Sequence, residues 1–511
     1  MNAAEHLLGA PALTRHAERI ALVCEHQALT YAEFAAQVRH AASALAALGV
    51  APGDRVLLLM RDTPELAAAW LGCVWHGAVA VALNSQLTED DYHFVRSDSG
   101  ARLAVVEDAY AASLPGFVAA LAREQRIAIA GTTPDGIPGW REALARAAPD
   151  APCYAAAAED AAFWLYSSGT TGRPKGIIHT HKDVLPAGQV LREVIALAPG
   201  DKVLVTSRLF FAYGLENGLL GPLSVGATAV LDPDWTDVER VCRLVARHQP
   251  RAFFSVPSYY RRLLAQGEQA LAPFRAVRYF FAAGERLPES MAEQWRRSVG
   301  GEVLSIYGMS ETFCVAMVTP LGSAGGKHTG KPLRGVEARL VTLEGNEAAA
   351  GEPGVLWLRH PALALGYANR KEQTREQFRD GWFCTKDVFV RDAEGYYAHQ
   401  GRADELIKVA GQWVKPSELE EAVLGEPEIA EAACVALQDA DGFERLALFV
   451  TASGDADAAV SAAERACTAR LPRYKQPKWV RAVQGLPRTA TGKVQRFRLR
   501  EMLERERSAK D

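Results

Sequence analysis

Tyr166 to Lys175, reading YSSGTTGRPK, sets hydroxyls and glycines in a loop that ends in a lysine, directly after the apolar run Ala161 to Leu165. Such a loop can hold phosphate. Glycines let the backbone fold back so that several amide N–H groups point at one anion, the hydroxyls add donors, and the lysine adds charge. Ser167, Ser168, Gly169, Thr170, Thr171 and Gly172 are the candidate donors and Lys175 the cation. Gly169 and Gly172 are three residues apart and Lys175 follows Pro174. This differs from the common phosphate loop, whose longer glycine spacing leads straight into a helix. The next residues, Gly176 to His181, have the pattern of a strand, so the loop is expected to join two strands without a helix dipole as its main anchor.

Four further stretches carry residue types that would complete a nucleotide site. In Ser305 to Thr312 (SIYGMSET) a short strand ends in Tyr307 and Gly308 and then presents Ser310 and Glu311. An aromatic there can stack on a purine, and a carboxylate near phosphates can hold Mg²⁺ through oxygen. Ala282 to Leu287 (AAGERL) follows an expected strand, and its glycine lets the chain pass close to a flat ligand. Asp387, within GWFCTKD, can accept hydrogen bonds from both hydroxyls of a ribose, with Arg402 bracing it. Pro487 to Arg496 (PRTATGKVQR) holds Lys493 beside a glycine in a turn. Each stretch has a plain structural alternative when read alone: a surface turn, a strand-end turn, a solvated tail charge.

In this order the motifs resemble those of the adenylate-forming superfamily, which includes acyl-CoA synthetases, peptide-synthetase adenylation domains and luciferases, and the resemblance covers nearly the whole chain. It implies that a carboxylate attacks the α-phosphate of ATP, releases pyrophosphate and becomes an acyl-AMP, which a thiol then takes up. By resemblance Tyr307 stacks on adenine, Gly284 and Glu285 border it, Asp387 and Arg402 hold the ribose, and Gly308 and Ser310 complete the nucleotide contacts. Glu311 and Thr170 serve the metal, and Lys493 is the catalytic lysine, acting with Glu311 and Lys175. Asp404 falls at the hinge of a small swinging domain. Ala410, Gly411, Gln412 and Trp413 line the thiol tunnel.

The segment Phe210 to Asn217 (FFAYGLEN), with Phe211, Ala212, Tyr213 and Gly214, resembles the acyl pocket of benzoate-CoA ligases. Cys314 stands where those enzymes generally have histidine, and Glu216 where they have glycine. Other departures are Ser310 for threonine, Ser305 for a longer amide or carboxylate, Lys386 for a small residue, and Ala410 for glycine. The resemblance implies ATP, Mg²⁺ and coenzyme A as co-substrate, acting on benzoate or a related aryl or small cyclic acid. The alternatives are loading of a separate carrier protein, a short aliphatic acid, a regulator that binds nucleotide without catalysis, and luciferase-type oxidation.

The elements that must position these residues follow an α/β rhythm. A chain of 511 residues exceeds one core. Thr30 with Glu33 forms a capping-box pattern ahead of a helix that puts Phe34, Val38, Ala41, Leu45 and Leu48 on one face and ends at Gly49. Arg55 to Met60, a helix opened by Thr63 and Pro64, and Ala78 to Asn84 give a strand, helix, strand unit. A large N-terminal domain of α/β layers is expected over 1–403, with a distorted barrel implied by the family, and a small mobile α+β domain over 404–511. The formal charge of -4 gives no reason to expect nucleic acid. The N-terminus lacks the pattern of a secretory signal and no stretch suggests a membrane span, so a cytoplasmic protein is expected. The partners are small molecules, and a homodimer is left open. The eight cysteines are scattered without metal or disulfide spacing.

Overall fold

The computed structural model describes residues 1–168, 173–234, 237–323, 326–342, 344–403, 407–409, 412–439, 443–488 and 494–508, with backbone alone for Ser168, Lys408, Gln412, Trp413, Glu504, Glu506, Arg507 and Ser508. The chain divides into two compact units. The first comprises Met1–Arg339, Trp357–Cys384 and Asp392–Ala398; the second comprises Leu340–Leu356, Thr385–Arg391 and His399–Asp511.

The first unit is built on two large sheets. One has seven strands, in the order Gly366–Tyr367, Pro174–Thr180, Ala161–Ser168, Val79–Ala82, Arg55–Leu59, Leu103–Glu107, Ile127–Ala130. From Ala161–Ser168 onward its neighbours are parallel. The helix Pro64–His76 connects Arg55–Leu59 to Val79–Ala82, as the sequence pattern requires. It packs on helix Tyr31–Ala47 closely enough that a Cβ on Gly72 would lie 2.7 Å from that of Ala41. The capping box at the start of Tyr31–Ala47 is complete: Glu33 N–H donates to Thr30 Oγ1 at 3.2 Å and Thr30 N–H to Glu33 Oε2 at 2.8 Å.

The second sheet has nine strands, in the order Lys331–Pro332, Met317–Val318, Val303–Tyr307, Tyr279–Ala282, Ala252–Ser255, Lys202–Val205, Thr228–Leu231, Ile20–Cys24, Gln27–Thr30. Its six strands from Val303–Tyr307 to Ile20–Cys24 are all parallel. A buried aromatic group of Phe253, Tyr260, Phe274, Phe280 and Trp295 backs this sheet through edge-to-face contacts. Parallel α/β sheets bind ligands beyond the carboxyl ends of their strands. Those ends are where Tyr307, Gly284 and the stretch leading to Phe211 are found, after Val303–Tyr307, Tyr279–Ala282 and Lys202–Val205.

The second unit contains the antiparallel hairpin Ile407–Val409 with Gln412–Val414, and a three-stranded sheet of Ile429–Gln438, Glu444–Ala452 and Trp479–Ala482. Helices Pro416–Val423 and Ala456–Arg470 bury Leu419, Val423, Ala459 and Ala463 against Cys434, Leu448 and Val450 of that sheet. No helix among the described residues is long and apolar enough to cross a membrane.

Candidate active site

The lysine of the glycine-rich loop is held by a hairpin. Ala161–Ser168 and Pro174–Thr180 pair antiparallel with Ser167 opposite Lys175, so the loop joins two strands as expected. Tyr166 fixes the entry, its hydroxyl donating to Asp98 Oδ2 at 2.9 Å. Gly169, Thr170, Thr171 and Gly172, the tip itself, lie outside the described residues.

Beyond the tip, Lys175 meets Glu311. The Lys175 Nζ to Glu311 Oε1 distance is 2.9 Å, with side chains 17% and 7% exposed. Tyr367, from the edge strand Gly366–Tyr367, donates to the same Oε1 at 2.8 Å, lies 3.2 Å from Nζ, and also contacts Gln377. The ammonium sits 4.2 Å from the centre of the Tyr367 ring. Burial alone would push the Glu311 carboxyl up; the charge and hydrogen bond of Lys175 outweigh it and hold the group below the usual carboxylate range. Glu311 is thus an ionised carboxylate whose Oε1 is taken by Lys175 and Tyr367, while Oε2 receives neither. That donor chemistry suits a hard cation shared with phosphate oxygens.

The turn that presents Glu311 is pinned from behind. His179 Nε2 donates to the Ser310 carbonyl at 2.7 Å and Nδ1 meets Asp183 Oδ2 at 2.9 Å, with both side chains fully buried. His179 stacks on Phe163, ring centres 4.9 Å apart, and Phe163 packs edge-on against Phe313. Thr312 Oγ1 ties the turn to Met309 and Cys314, and Phe313 takes a left-handed backbone with φ 53°. A Cβ on Gly308 would lie 3.2 Å from the Cys314 carbonyl, so the turn closes tightly there.

The same segment, Ser310 to Val315, leads to the residues expected to form the acyl pocket. Ala212 opens the helix Ala212–Leu215, which continues as a π-helix, Glu216–Leu220. Gly214 is required by close approach, since a Cβ would lie 2.1 Å from the Arg208 carbonyl oxygen. Phe211 stands half-buried against Phe210. Tyr213 turns its hydroxyl to the Ser255 carbonyl at 3.1 Å. The Glu216 carboxyl receives the Val315 N–H at 3.1 Å and Asn217 Nδ2 at 3.2 Å, and burial pushes it up to about 8 against the pull of these donors. The Cys314 thiol lies between the Asp183 carbonyl, 3.7 Å away, and the Glu216 carboxyl.

Two of the expected nucleotide residues, Glu285 and Ser305, have structural partners. Glu285 accepts from Ser258 N–H at 3.0 Å and Ser258 Oγ at 2.9 Å, capping the helix Pro257–Leu264. Ser305 is buried inside its strand, its carbonyl accepting from Thr319 N–H at 2.8 Å. Gly284 has the left-handed φ of 82° that its turn needs, and Tyr307 is half-buried at its strand end.

In the second unit Asp387 is buried, with Arg402 Nη1 3.2 Å and His399 Nε2 3.8 Å from its Oδ1. Arg402 also donates to the Thr385 carbonyl at 3.1 Å, and Thr385 Oγ1 accepts from Asp387 N–H at 3.0 Å. Lys386 adopts φ 61°, the left-handed backbone that glycine enters freely. Asp404, Ala410, Gly411 and Lys493 lie outside the described residues, as do the side chains of Gln412 and Trp413.

Comparison with known proteins bears directly on this arrangement. The model of the AMP-binding enzyme family matches residues 10–368, and that of the AMP-binding enzyme C-terminal domain matches 418–493. This chain belongs to the AMP-binding enzyme family. A 3-hydroxybenzoate–CoA ligase of Aromatoleum sp. (strain CIB) is 40% identical to this AMP-binding enzyme over 98% of the chain and 97% of its own length. A 3-hydroxybenzoate/4-hydroxybenzoate–CoA ligase of Thauera aromatica is 38% identical over 99% and 98%. Among solved structures, the anthranilate CoA ligase AuaEII in complex with anthranoyl-AMP superposes with a TM-score of 0.90 at 30% identity, covering 99% of this chain and 98% of its own. A benzoate CoA ligase from Burkholderia xenovorans LB400 superposes at 0.87 and 32% identity, covering 98% and 100%. The fold of this AMP-binding enzyme, a large N-terminal and a small C-terminal α/β part, is that of CoA ligases. The sequence alone does not point to His179, Asp183, Tyr367 or Gln377, because only the folded sheet edge brings Tyr367 to Glu311.

Proposed function

We propose that this enzyme is an ATP-dependent carboxylate–CoA ligase that acts on benzoate or a related aryl acid, in the cytoplasm. The observation that carries the proposal is the Lys175–Glu311–Tyr367 cluster at the base of the glycine-rich hairpin. A carboxylate attacking the α-phosphate of ATP brings two anions together, and positive charge at the meeting point lowers that barrier. Lys175 and the donors of 167–172 bind the departing pyrophosphate. Mg²⁺, which the ionised Glu311 suits and Thr170 would share, supplies charge neutralisation on the phosphates. Glu311 Oε1, fixed by Lys175 and Tyr367, orients the carboxylate so that Oε2 is the oxygen offered.

Tyr307, Gly308 and Gly284, with Glu285, Ser305 and Ser310 beside them, form the adenine side, and Asp387 with Arg402 receives the ribose hydroxyls. Lys493 bridges the attacking carboxylate and the α-phosphate, Asp404 is the hinge, and Ala410 to Trp413 line the route of the CoA thiol. Phe211, Ala212, Tyr213, Gly214 and Cys314 shape the acyl pocket. The names of the relatives, CoA ligases for hydroxybenzoates, benzoate and anthranilate, support an aryl acid. The test is AMP release by the full chain with ATP, Mg²⁺ and CoA across aryl, cyclic and short aliphatic acids. Aryl acids with CoA should give the highest rates. Turnover only with a carrier protein, or only with aliphatic acids, would overturn the reading.

A further inference from the structure

The glycine-rich hairpin has two legs, and one carboxylate reaches both. Asp98 lies in the last turn of helix Glu89–Ser99, its side chain 8% exposed. On the entry leg the Tyr166 hydroxyl donates to its Oδ2 at 2.9 Å. On the exit leg the link runs through Arg370, whose Nη1 lies 3.3 Å from Asp98 Oδ1 and whose Nη2 donates to the Pro174 carbonyl at 3.1 Å. Asn369 Nδ2 closes the group, donating to the Asp98 carbonyl at 2.7 Å and to Oδ1 at 3.3 Å. The C-terminal turn of a helix is an unfavourable place for a negative charge, so these partners, and not the helix, stabilise the carboxylate.

The grip falls at the mouth of the loop. Ser168 and Pro174 form the innermost described pair of the hairpin, and Lys175 directly follows the residue whose carbonyl Arg370 holds. Arg370 also stands three residues beyond Tyr367, so one short stretch of chain both supports the loop and touches Glu311. The helix adds a second hold through Phe94, whose ring centre lies 5.5 Å from the Arg173 guanidinium on the exit leg and 5.9 Å from that of Arg370. Glycine restricts the backbone least of all residues, so a loop with two of them is directed chiefly by the ends that anchor it. Charge-assisted hydrogen bonds to a buried carboxylate are the strong kind of anchor.

We infer that Asp98 is a positioning residue for adenylation: by tying Tyr166 to Arg370 it fixes both legs of the glycine-rich loop and so places the donors that receive the departing pyrophosphate. This inference rests on the ligase reading above and adds a residue outside the set assigned to substrate contact. Preplaced donors lower a barrier only when they stand where charge develops, and a small displacement is costly. The contribution of Asp98 is therefore confined to steps that involve pyrophosphate. Attack of the CoA thiol on acyl-AMP involves none and does not call on the loop.

Acyl-AMP has two fates that separate these demands. With Mg²⁺ and pyrophosphate it returns to ATP and the free acid; with CoA it gives the thioester and AMP. The full chain is supplied with benzoyl-AMP, or with the acyl-AMP of the acid it uses best, and both rates are measured. In Asp98→Ala, kcat/KM for pyrophosphate in ATP formation should fall by about 10–100-fold, while CoA transfer stays close to the wild-type rate. Tyr166→Phe should lower pyrophosphate use by itself and cost nothing further in the Asp98→Ala background, because its hydroxyl acts through that carboxylate. If Asp98→Ala does not fold, the isosteric Asp98→Asn, which loses the charge that holds Arg370, should show the same split. Wild-type ATP formation in the Asp98 variant, or equal losses in both fates, would overturn the inference and leave the ligase reading intact. So would additive effects of the two substitutions. A wild type that makes neither ATP nor acyl-CoA from any aryl-AMP would instead remove the ligase reading, and this inference with it.

Discussion

At Glu216, burial and the absence of a pairing cation among the described residues act in the same direction, and the consequence is one for stability. An unfolded glutamate ionises at about 4.3, whereas burial pushes Glu216 up to about 8. Between those values the folded chain holds a proton that the unfolded chain has released. Stability therefore falls as pH rises, by roughly 1.4 kcal/mol per pH unit; the loss is absent below the lower value and complete above the upper one. Glu216→Gln has no such proton to hold. Its melting temperature should gain on the wild type as pH is raised from about 5 to about 8 and change little beyond; parallel pH profiles of the two proteins would contradict this. The sequence marked Glu216 and Cys314 as departures from a pattern. It could not show that they touch, since 97 residues lie between them. Tyr367 was hidden for the same reason: a lone tyrosine in GYAN carries no signal until the edge strand sets it beside Glu311.

Elements with a local signature were legible. The capping box at Thr30, the strand, helix, strand unit around Pro64–His76 and the hairpin that carries Lys175 all follow from period and end residues. Helix Ala456–Arg470 escaped because its seven alanines in fifteen residues would read equally well as a solvated alanine-rich loop, and only packing on Cys434 and Leu448 decides. The π-helix Glu216–Leu220 has no period of its own in so short a run. Lys386 is a case in which a sequence anomaly acquires a physical cost. Its left-handed backbone, φ 61°, is unfavourable for a residue with a Cβ by about 1 kcal/mol. Lys386→Gly should therefore keep or slightly raise the melting temperature, the gain being reduced by glycine's greater freedom when unfolded. It should leave the Asp387–Arg402 pair and KM for ATP unchanged. A clear loss of stability would mean that the lysine side chain contributes more than its backbone costs.

At the scale of the whole molecule, two half-reactions with opposite demands share one chain. Adenylation needs positive charge where two anions meet, while thioester formation needs a clear path for the thiol. On the proposed reading, Lys493 carried on a small C-terminal domain would reconcile the two demands. Lys493→Ala should lose acyl-AMP formation by about 10²–10³-fold while keeping most of its CoA transfer from supplied acyl-AMP; equal loss in both steps would refute the two-conformation account. An enzyme of this kind manufactures a mixed anhydride, an acylating agent for any thiolate within reach, and the proposed acyl pocket includes a cysteine, Cys314. Burial above all pushes the Cys314 thiol far up, so its nucleophilic form is absent at neutral pH. On the proposed reading, that burial keeps Cys314 from being acylated, so that the activated acid waits for coenzyme A.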